Sequence, residues 1–382
     1  MSARIGAGTY AERIGRAQEA IGRAGHAALL LGVGPELEWL TGYDTSGHER
    51  ITLLVLPAVG RPTLVLPRLE LSAALAAPGP GAGLVGTAPW QETDDPYRSV
   101  TAALGPVAPG ADLLVSDGLK ATFLLRLQAA IPGARWSVAS ALVSPLRQVK
   151  DADEIALLRA AAAAADRRVS AIRAGRLVGR TEAEVAKEVR DRLVAEGHDT
   201  AEFWIVASGP ASASPHHDAS GAQIRAGAPL LLDIGGRLGG YCSDITRTAW
   251  VAGPDGLPPD DGFRAIHALV ERAQAAGRAA VRPGVTFASL DAAARKVIAD
   301  AGHGPHFFHR LGHGIGLEVH EDPYVVETND QLLVAGNTFS VEPGVYLEGI
   351  HGVRIEDQVL CTETGGESLN AFERGLLVVS GV

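Results

Sequence analysis

Two aspartates flank a glycine-rich reversal in the segment LLLDIGGRLGGYCSDITRT, residues 230–248. Asp233 ends an apolar run typical of a buried strand, and Asp244 follows eleven residues later. Their midpoint lies between Leu238 and Gly239, which predicts a β-hairpin with the two carboxylates facing each other across the ladder. Carboxylates placed in this way repel each other, and a bound cation would stabilise the pair. The segment therefore suggests a metal site.

A second acidic pair lies in the segment TFSVEPGVYLEGIHGVRIEDQVL. Glu342 and Glu356 are fourteen residues apart with their midpoint at Gly349, which predicts a second hairpin and a second facing pair. Alternation along the returning strand places Arg354 on the same face as Glu356. Two hairpins with one acidic pair each indicate two structurally similar halves.

A histidine-containing loop, HRLGHGIGLEVHE, lies between the two hairpins at residues 309–321. Four carboxylates and one imidazole form a ligand set suited to two divalent ions about 3.5–4 Å apart. His313 is the best candidate imidazole, because the flanking glycines let backbone and metal approach closely. His309 and His320 would remain in the cavity as hydrogen-bond donors or proton carriers.

The composition of the chain argues against some classes of partner and indicates a cellular compartment. The 382 residues are 46% hydrophobic and 20% charged, as expected for a globular protein with a large core. The net charge of -10 argues against nucleic acid or an anionic membrane surface as the main partner. Cys242 and Cys361 make no disulfide framework, and the segment MSARIGAGTYAERIG is charged where a signal peptide needs an apolar core. We therefore expect a cytoplasmic protein.

The secondary-structure pattern predicts two domains, residues 1–145 and 150–382. In the first, strand and helix patterns alternate, with a hairpin over residues 51–67 that turns around Gly60 and Arg61. This pattern predicts a small α/β domain. No cluster of polar residues is visible in it, so it is expected to be noncatalytic.

A linker is predicted at Ser144 and Pro145, followed by a long alanine-rich helix. Asp151 is the expected N-cap of this helix, and Glu154 would close a capping box. The second domain is predicted to begin with this helix and to contain mainly strands after residue 200, apart from helices near 262–280 and 287–302.

Together and in this order, the motifs resemble the proline-specific branch of the pita-bread metallopeptidases, which includes Xaa-Pro dipeptidases and Xaa-Pro aminopeptidases. The resemblance covers essentially the whole chain. It implies an α/β fold with a creatinase-like N-terminal domain and a pita-bread catalytic domain. The metal ligands that it implies are Asp233 in LLLDIGG, Asp244 in SDITRT, His313 in GHGIG, Glu342 in VEPGVY and Glu356 in RIED.

The resemblance also implies further active-site residues. They are His216 in SASPHH, His309, His320 in EVHE, and Arg354. His217 is an alternative to its neighbour His216.

The implied cofactors are two divalent metal ions per subunit, with Mn as the first expectation and Co, Zn or Fe as alternatives. They would generate a bridging hydroxide that attacks the carbonyl carbon before proline. Glu342 would transfer the water's proton to the leaving imino nitrogen. His320 would stabilise the oxyanion of the tetrahedral intermediate.

The other residues that the resemblance implies would position the substrate or hold a carboxylate. His309 and His216 would position the substrate, whereas Arg354 would hold either Glu356 or a substrate carboxylate. The resemblance further implies a homodimer that acts on small proline-containing peptides. The choice between dipeptidase and aminopeptidase stays open at this point.

Two other classes of function stay open as well. One is a pita-bread hydrolase of another small amide, such as an ectoine derivative or a creatine-like substrate. The other is a binding protein that kept the fold and lost catalysis, but such proteins typically lose a ligand and none of the five is missing. Methionine aminopeptidases share the five ligands but usually lack the N-terminal domain.

Overall fold

The computed structural model describes residues 5–47 and 49–382, which divide into two units, 5–147 and 148–382. In the described residues no helix combines the length and the apolar character needed to cross a bilayer.

A six-stranded mixed sheet lies at the centre of unit 5–147. Its strands are β1 (Ala28–Gly32), β2 (Leu53–Pro57), β3 (Thr63–Pro67), β4 (Gly86–Trp90), β5 (Asp112–Val115) and β6 (Arg135–Val138). Their order is β4-β3-β2-β1-β5-β6. The helices are α1 (Ala7–Arg23), α2 (Pro35–Thr41), α3 (Leu71–Ala76), α4 (Pro78–Gly81), α5 (Pro96–Leu104), α6 (Ala121–Ala130) and α7 (Ser140–Gln148). The predicted hairpin is β2 and β3, with its register centred on Val59.

The predicted linker at Ser144 and Pro145 is wrong, because both residues lie inside helix α7. The helix continues past Pro145 since Val143 is buried and Arg147 pairs with Glu36 at 3.5 Å. These contacts outweigh the missing N–H of proline.

Unit 148–382 contains four α-helices and twelve strands among its described elements. The helices are α8 (Ala152–Arg173), α9 (Glu182–Ala195), α10 (Asp261–Ala280) and α11 (Phe287–Asp300). The strands are β7 (Thr200–Ser208), β8 (Ala228–Leu238), β9 (Tyr241–Cys242), β10 (Ile245–Val251), β11 (Gly312–Gly314), β12 (Glu321–Val325), β13 (Thr338–Val341), β14 (Gly344–Leu347), β15 (His351–Arg354), β16 (Asp357–Thr362), β17 (Gly365–Ser368) and β18 (Leu377–Val379).

The strands of this unit form two five-stranded sheets and one separate hairpin. The first sheet has the order β18-β10-β8-β7, with β9 paired to β8, and the second has the order β12-β11-β13-β16-β17. Strands β14 and β15 form the separate hairpin. Helix α8 begins with the predicted capping box, in which Asp151 and Glu154 exchange hydrogen bonds of 2.8 and 2.9 Å.

The first acidic hairpin has a different register from the predicted one. Asp233 lies opposite Thr246 and not opposite Asp244. The reason is the turn, which uses Gly239 and Gly240 with φ values of 59° and 88° and so shifts the centre of the hairpin by one residue. Asp244 lies in the break between β9 and β10. A shift of two residues along one strand keeps the same face, so both carboxylates still point into one site.

The second acidic hairpin has the predicted centre. The pair Val345 and Val353 in the ladder of β14 and β15 is centred on Gly349. The ladder of β13 and β16 continues the same register beyond the acidic pair. Glu342 and Glu356 therefore lie opposite each other in the break between two ladders, where the backbone leaves one sheet for the next.

The turn of the first hairpin gives a test of this register. Gly240 has a φ of 88°, and a β-branched residue held in that region costs about 1–3 kcal/mol. We expect Gly240→Val to lower the free energy of unfolding by this amount in chemical denaturation. Gly239→Asn is the matched control and should cost much less, because asparagine tolerates the left-handed conformation. Wild-type stability of Gly240→Val would contradict the turn.

Candidate metal centre

All nine predicted site residues line one cavity of about 370 Å³ in unit 148–382. The five expected ligands come from five places in the two hairpins and the histidine loop, namely Asp233 on β8, Asp244 before β10, His313 on β11, Glu342 after β13 and Glu356 before β16. The other four are His216, His309, His320 and Arg354. The remaining lining residues are Glu202, Phe203, Ile205, Pro215, Arg310 and Val319.

The candidate ligand atoms are close together around His313. One ligand atom each of Asp244, His313 and Glu356 lies within 4.8 Å of the other two. His313 Nε2 is 3.6 Å from Asp244 Oδ2 and 3.3 Å from Glu342 Oε1. His313 Nδ1 lies 3.1 Å from the carbonyl oxygen of Gly314, so Nδ1 donates there. This hydrogen bond turns the Nε2 lone pair toward the carboxylates, which is the arrangement of a metal-binding histidine.

Three buried oxygens of this cluster have no hydrogen-bond partner in the described part of the chain. They are Asp233 Oδ1, Asp244 Oδ1 and Glu356 Oε1. A buried carboxylate oxygen without a partner is costly, and a divalent cation would compensate all three. Because carboxylates and a neutral imidazole suit Mn, Co, Zn or Fe, the residues present fit divalent metal ions.

Burial and mutual repulsion raise the pKa of three of the carboxyl groups. Burial is the largest cause for Asp244 and Glu356, whose pKa values are raised well above the ordinary range, and the neighbouring carboxylates add to it. Burial also raises the pKa of Asp233, although the charge of Arg354 opposes the shift. Cations in the site would favour the ionised forms.

Glu342 behaves differently from the other three. Burial alone would raise its pKa, but without metal the hydrogen bond and charge that a protonated His313 supplies outweigh burial and bring the pKa of Glu342 to about 2. Its Oε1 also accepts a hydrogen bond of 3.1 Å from the Ser340 hydroxyl. Glu342 is therefore ionised at neutral pH and can accept a proton.

Arg354 is held by four acceptors. Its Nη2 donates to Asp233 Oδ2 at 2.6 Å and to the Pro215 carbonyl at 3.3 Å. Its Nη1 donates to the Tyr346 hydroxyl at 2.8 Å, and its Nε to Thr246 Oγ1 at 3.2 Å. Arg354 was expected to hold either Glu356 or a substrate carboxylate. In the structure it pairs with a carboxylate of the metal site, but that carboxylate is Asp233 and not Glu356.

Thr246 connects the two acidic hairpins and was missed by sequence reasoning. Its hydroxyl donates to Glu356 Oε2 at 2.6 Å and accepts from Arg354 Nε. The alternation of side chains along SDITRT could have identified Thr246, because residues 244 and 246 share one face of a strand. Thr246 therefore orients Glu356 from the neighbouring sheet.

His309 lines the cavity, and both of its ring nitrogens contact other groups of the protein. Its Nδ1 lies 2.7 Å from the Arg310 carbonyl oxygen, and its Nε2 lies 3.0 Å from the Tyr346 hydroxyl. Burial lowers the pKa of His309, so the ring is neutral and Nε2 accepts a hydrogen bond from the Tyr346 hydroxyl. Both ring nitrogens are thus engaged within the protein. Tyr346, which sequence reasoning also missed, joins His309 to Arg354.

The structure distinguishes His216 from His217. His216 lines the cavity, whereas His217 Nε2 lies 2.8 Å from Glu182 Oε2. Glu182 is fully buried and also accepts hydrogen bonds from the backbone N–H and hydroxyl groups of Ser208 and Ser220. It fixes the loop that carries His216.

His320 lies beside the cluster, with its ring centroid 4.1 Å from that of His313 in an edge-to-face arrangement. Burial, together with the positive charges of His313 and Arg310, lowers the pKa of His320 to about 4. At neutral pH it is therefore an uncharged imidazole that can donate one hydrogen bond into the cavity.

The fold and the site define a metal-dependent hydrolase of the pita-bread class. Residues 156–363 match the metallopeptidase family M24, and residues 13–149 match the creatinase/prolidase N-terminal domain. The chain belongs to metallopeptidase family M24, which confirms the predicted family and fold class. The family implies that the site binds divalent metal ions.

Relatives are similar along their full length. The chain is 44% identical over 381 residues to the probable dipeptidase PepE of Mycobacterium bovis, covering 99% of each chain. The crystal structure of dipeptidase PepE from Mycobacterium ulcerans matches with a TM-score of 0.91 and 44% identity, covering 98% of this chain and 99% of that one. Prolidase from Thermococcus sibiricus matches with a TM-score of 0.89 and 33% identity, covering 97% and 99%.

Thr246 allows a test of how the site is organised. We expect Thr246→Val to keep the fold and to weaken metal binding by about 10–100-fold, because Glu356 and Arg354 lose a shared partner. Calorimetric titration of metal-free protein with Mn²⁺ measures this change. Thr41→Val, which removes a similarly buried hydroxyl from unit 5–147, should leave metal affinity unchanged. Equal affinities of Thr246→Val and wild type would contradict the assigned role.

Proposed function

We propose that this chain hydrolyses the Xaa-Pro bond of small peptides with two divalent metal ions. The ions would be held by the five residues expected from the sequence, Asp233, Asp244, His313, Glu342 and Glu356. The observation that carries the proposal is the set of three buried carboxylate oxygens that have no partner among the described residues, two of them on Asp244 and Glu356, which cluster with His313. The names of the relatives, dipeptidase and prolidase, support the peptidase class. Mn is the first choice of metal, with Co, Zn or Fe as alternatives.

The protein side chains supply the remaining steps. When bound, the ions provide Lewis acidity that makes water a nucleophile near neutral pH. Glu342, ionised and held by Ser340, accepts the water's proton and delivers it to the leaving imino nitrogen. His320 donates a hydrogen bond to the developing oxyanion, and His216 orients the substrate. Arg354 keeps Asp233 in place.

The walls of the cavity are compatible with proline. An Xaa-Pro bond has no N–H, so a selective site needs an apolar surface and no acceptor waiting for that proton. Phe203, Ile205 and Val319 provide such a surface in the cavity. A pyrrolidine ring packed against them would leave no backbone donor unsatisfied.

The proposal assigns catalysis to residues 150–382 and a noncatalytic role to residues 1–145. We also propose a homodimer in the cytoplasm. Cys242 and Cys361 are buried and not joined in a disulfide, which supports a reducing compartment.

Removal and return of metal test the function. The protein should lose activity after chelation and recover it with Mn²⁺, measured by proline release from Ala-Pro. A parallel assay with Ala-Pro-Ala separates dipeptidase from aminopeptidase. Failure on both peptides with metals bound would contradict Xaa-Pro hydrolysis. No activation by Mn, Co or Zn would favour a binding protein.

Ligand variants test the two-metal site. Asp244→Ala and Glu342→Ala should abolish turnover while the far-UV circular dichroism spectrum remains that of wild type. Asp191→Ala, which removes an exposed carboxylate paired with Lys187, is the control and should be fully active. Retention of more than about a tenth of the wild-type rate by either ligand variant would contradict the two-metal mechanism.

A further inference from the structure

His320 lines the cavity, but few contacts hold its side chain in place. The residue is exposed, and its ring touches the ring of His313 at a centroid separation of 4.1 Å. Neither ring nitrogen of His320 is hydrogen-bonded to another residue within 5–47 and 49–382. Exposed side chains without such bonds change rotamer rapidly, so the backbone beneath them determines where they lie. The position of His320 therefore depends on what fixes residues 316–321.

A buried ion pair lies directly beside this residue in the chain. Lys150 Nζ donates to Glu321 Oε1 at 2.6 Å, and the two side chains are only 2% and 5% exposed. Lys150 precedes helix α8, whereas Glu321 follows His320 and begins β12. Separating two buried charges is costly, so the pair stays together and fixes the position of Glu321.

The same pair packs on the backbone of the segment that leads to His320. A Cβ atom at Gly316 would lie 2.5 Å from Glu321 Oε1 and 2.9 Å from Lys150 Cε. Gly316 does not have a positive φ, so a glycine is needed here for the close approach of the pair and not for the turn. The Gly316 carbonyl also accepts a hydrogen bond of 2.8 Å from the Cys242 N–H. These contacts fix the start of the segment.

The segment 316–321 folds back on itself after Gly316. The Gly316 N–H donates to the Glu318 carbonyl at 3.1 Å, and the Glu318 N–H makes a long hydrogen bond of 3.5 Å to Glu321 Oε2. One oxygen of the Glu321 carboxylate thus contacts Lys150, and the other contacts the segment. Val319 and His320, which line the cavity, lie between these contacts.

Resting on the proposed function, in which His320 donates to the oxyanion, we infer that Lys150 and Glu321 are positioning residues for His320. Neither is among the described residues that line the cavity, so the pair acts through the backbone of residues 316–321. A displacement of about 1 Å in a reacting group can cost about 100-fold in rate. The ion pair prevents such a displacement of His320.

The double variant Lys150→Met/Glu321→Gln, called the pair variant, removes both charges together and leaves neither one buried alone. For the better of the substrates Ala-Pro and Ala-Pro-Ala, we expect kcat to fall by about 10–100-fold and KM to change by less than about threefold. The reason is that the oxyanion forms only in the transition state. Affinity for Mn²⁺ in calorimetric titration should remain that of wild type.

Two single variants accompany this measurement. Lys150→Arg keeps the positive charge and should retain more of the wild-type kcat than Lys150→Met does. Lys296→Met removes a lysine from an exposed ion pair with Asp300, and as the control it should keep the wild-type kcat.

A double-mutant cycle with His320→Ala separates positioning from a general structural role. If the pair acts through His320, the pair variant should cost less than about threefold in kcat once His320 is already alanine. An equal fold loss in both backgrounds would overturn the inference. Wild-type kcat in the pair variant would overturn it as well.

Hydrogen–deuterium exchange tests the inference without a substrate. In the pair variant, a peptide that spans residues 316–321 should exchange at least about tenfold faster than in wild type, with unchanged exchange in β8 and β10. Unchanged exchange in that peptide would overturn the inference. Absence of turnover of both substrates by the Mn²⁺-loaded wild type would instead contradict the proposed function, and the exchange comparison would still decide whether the pair holds the segment.

Discussion

Three buried carboxylates and the half-buried Glu342 repel each other in one cavity, and the surrounding part of unit 148–382 is arranged around that repulsion. Burial and proximity raise the pKa values of Asp233, Asp244 and Glu356, which shows that the protein alone does not fully compensate the charges. Arg354 compensates one of them through its contact with Asp233. The others need cations from outside the chain. Three of the four carboxylates lie at breaks between strand ladders. At these breaks, side chains from several strands can point into the same cavity.

The same contacts that hold the carboxylates also join the first sheet of the unit to the separate β14–β15 hairpin and to the second sheet. Arg354 on β15 reaches Asp233 on β8, while Thr246 on β10 reaches Glu356 before β16. Tyr346 extends this network to His309. The network thus has a structural role as well as a role at the site, since it fixes how the two acidic hairpins face each other. In this network His309 contacts Tyr346, which in turn contacts Arg354.

Much of the site could be predicted from the sequence, because residue spacing around a turn determines which side chains share a face. The hairpin centred on Gly349 has its predicted register, and the capping box at Asp151 is present. The hairpin at Asp233 has a register shifted by one residue, because its turn uses Gly239 and Gly240 and not Leu238 and Gly239. The pairing between particular side chains was harder to predict from the sequence. Arg354 pairs with Asp233 and not Glu356, and this depends on how the β14–β15 hairpin packs on the first sheet, which no local pattern encodes.

The proposed hydrolysis requires two metal ions in one cavity. Anomalous diffraction from crystals grown with Mn²⁺ tests this most directly, because it locates each ion independently of activity. We predict two peaks per chain, about 3.5–4 Å apart, among Asp233, Asp244, His313, Glu342 and Glu356. A single peak at saturating Mn²⁺, or peaks away from these five residues, would contradict the account.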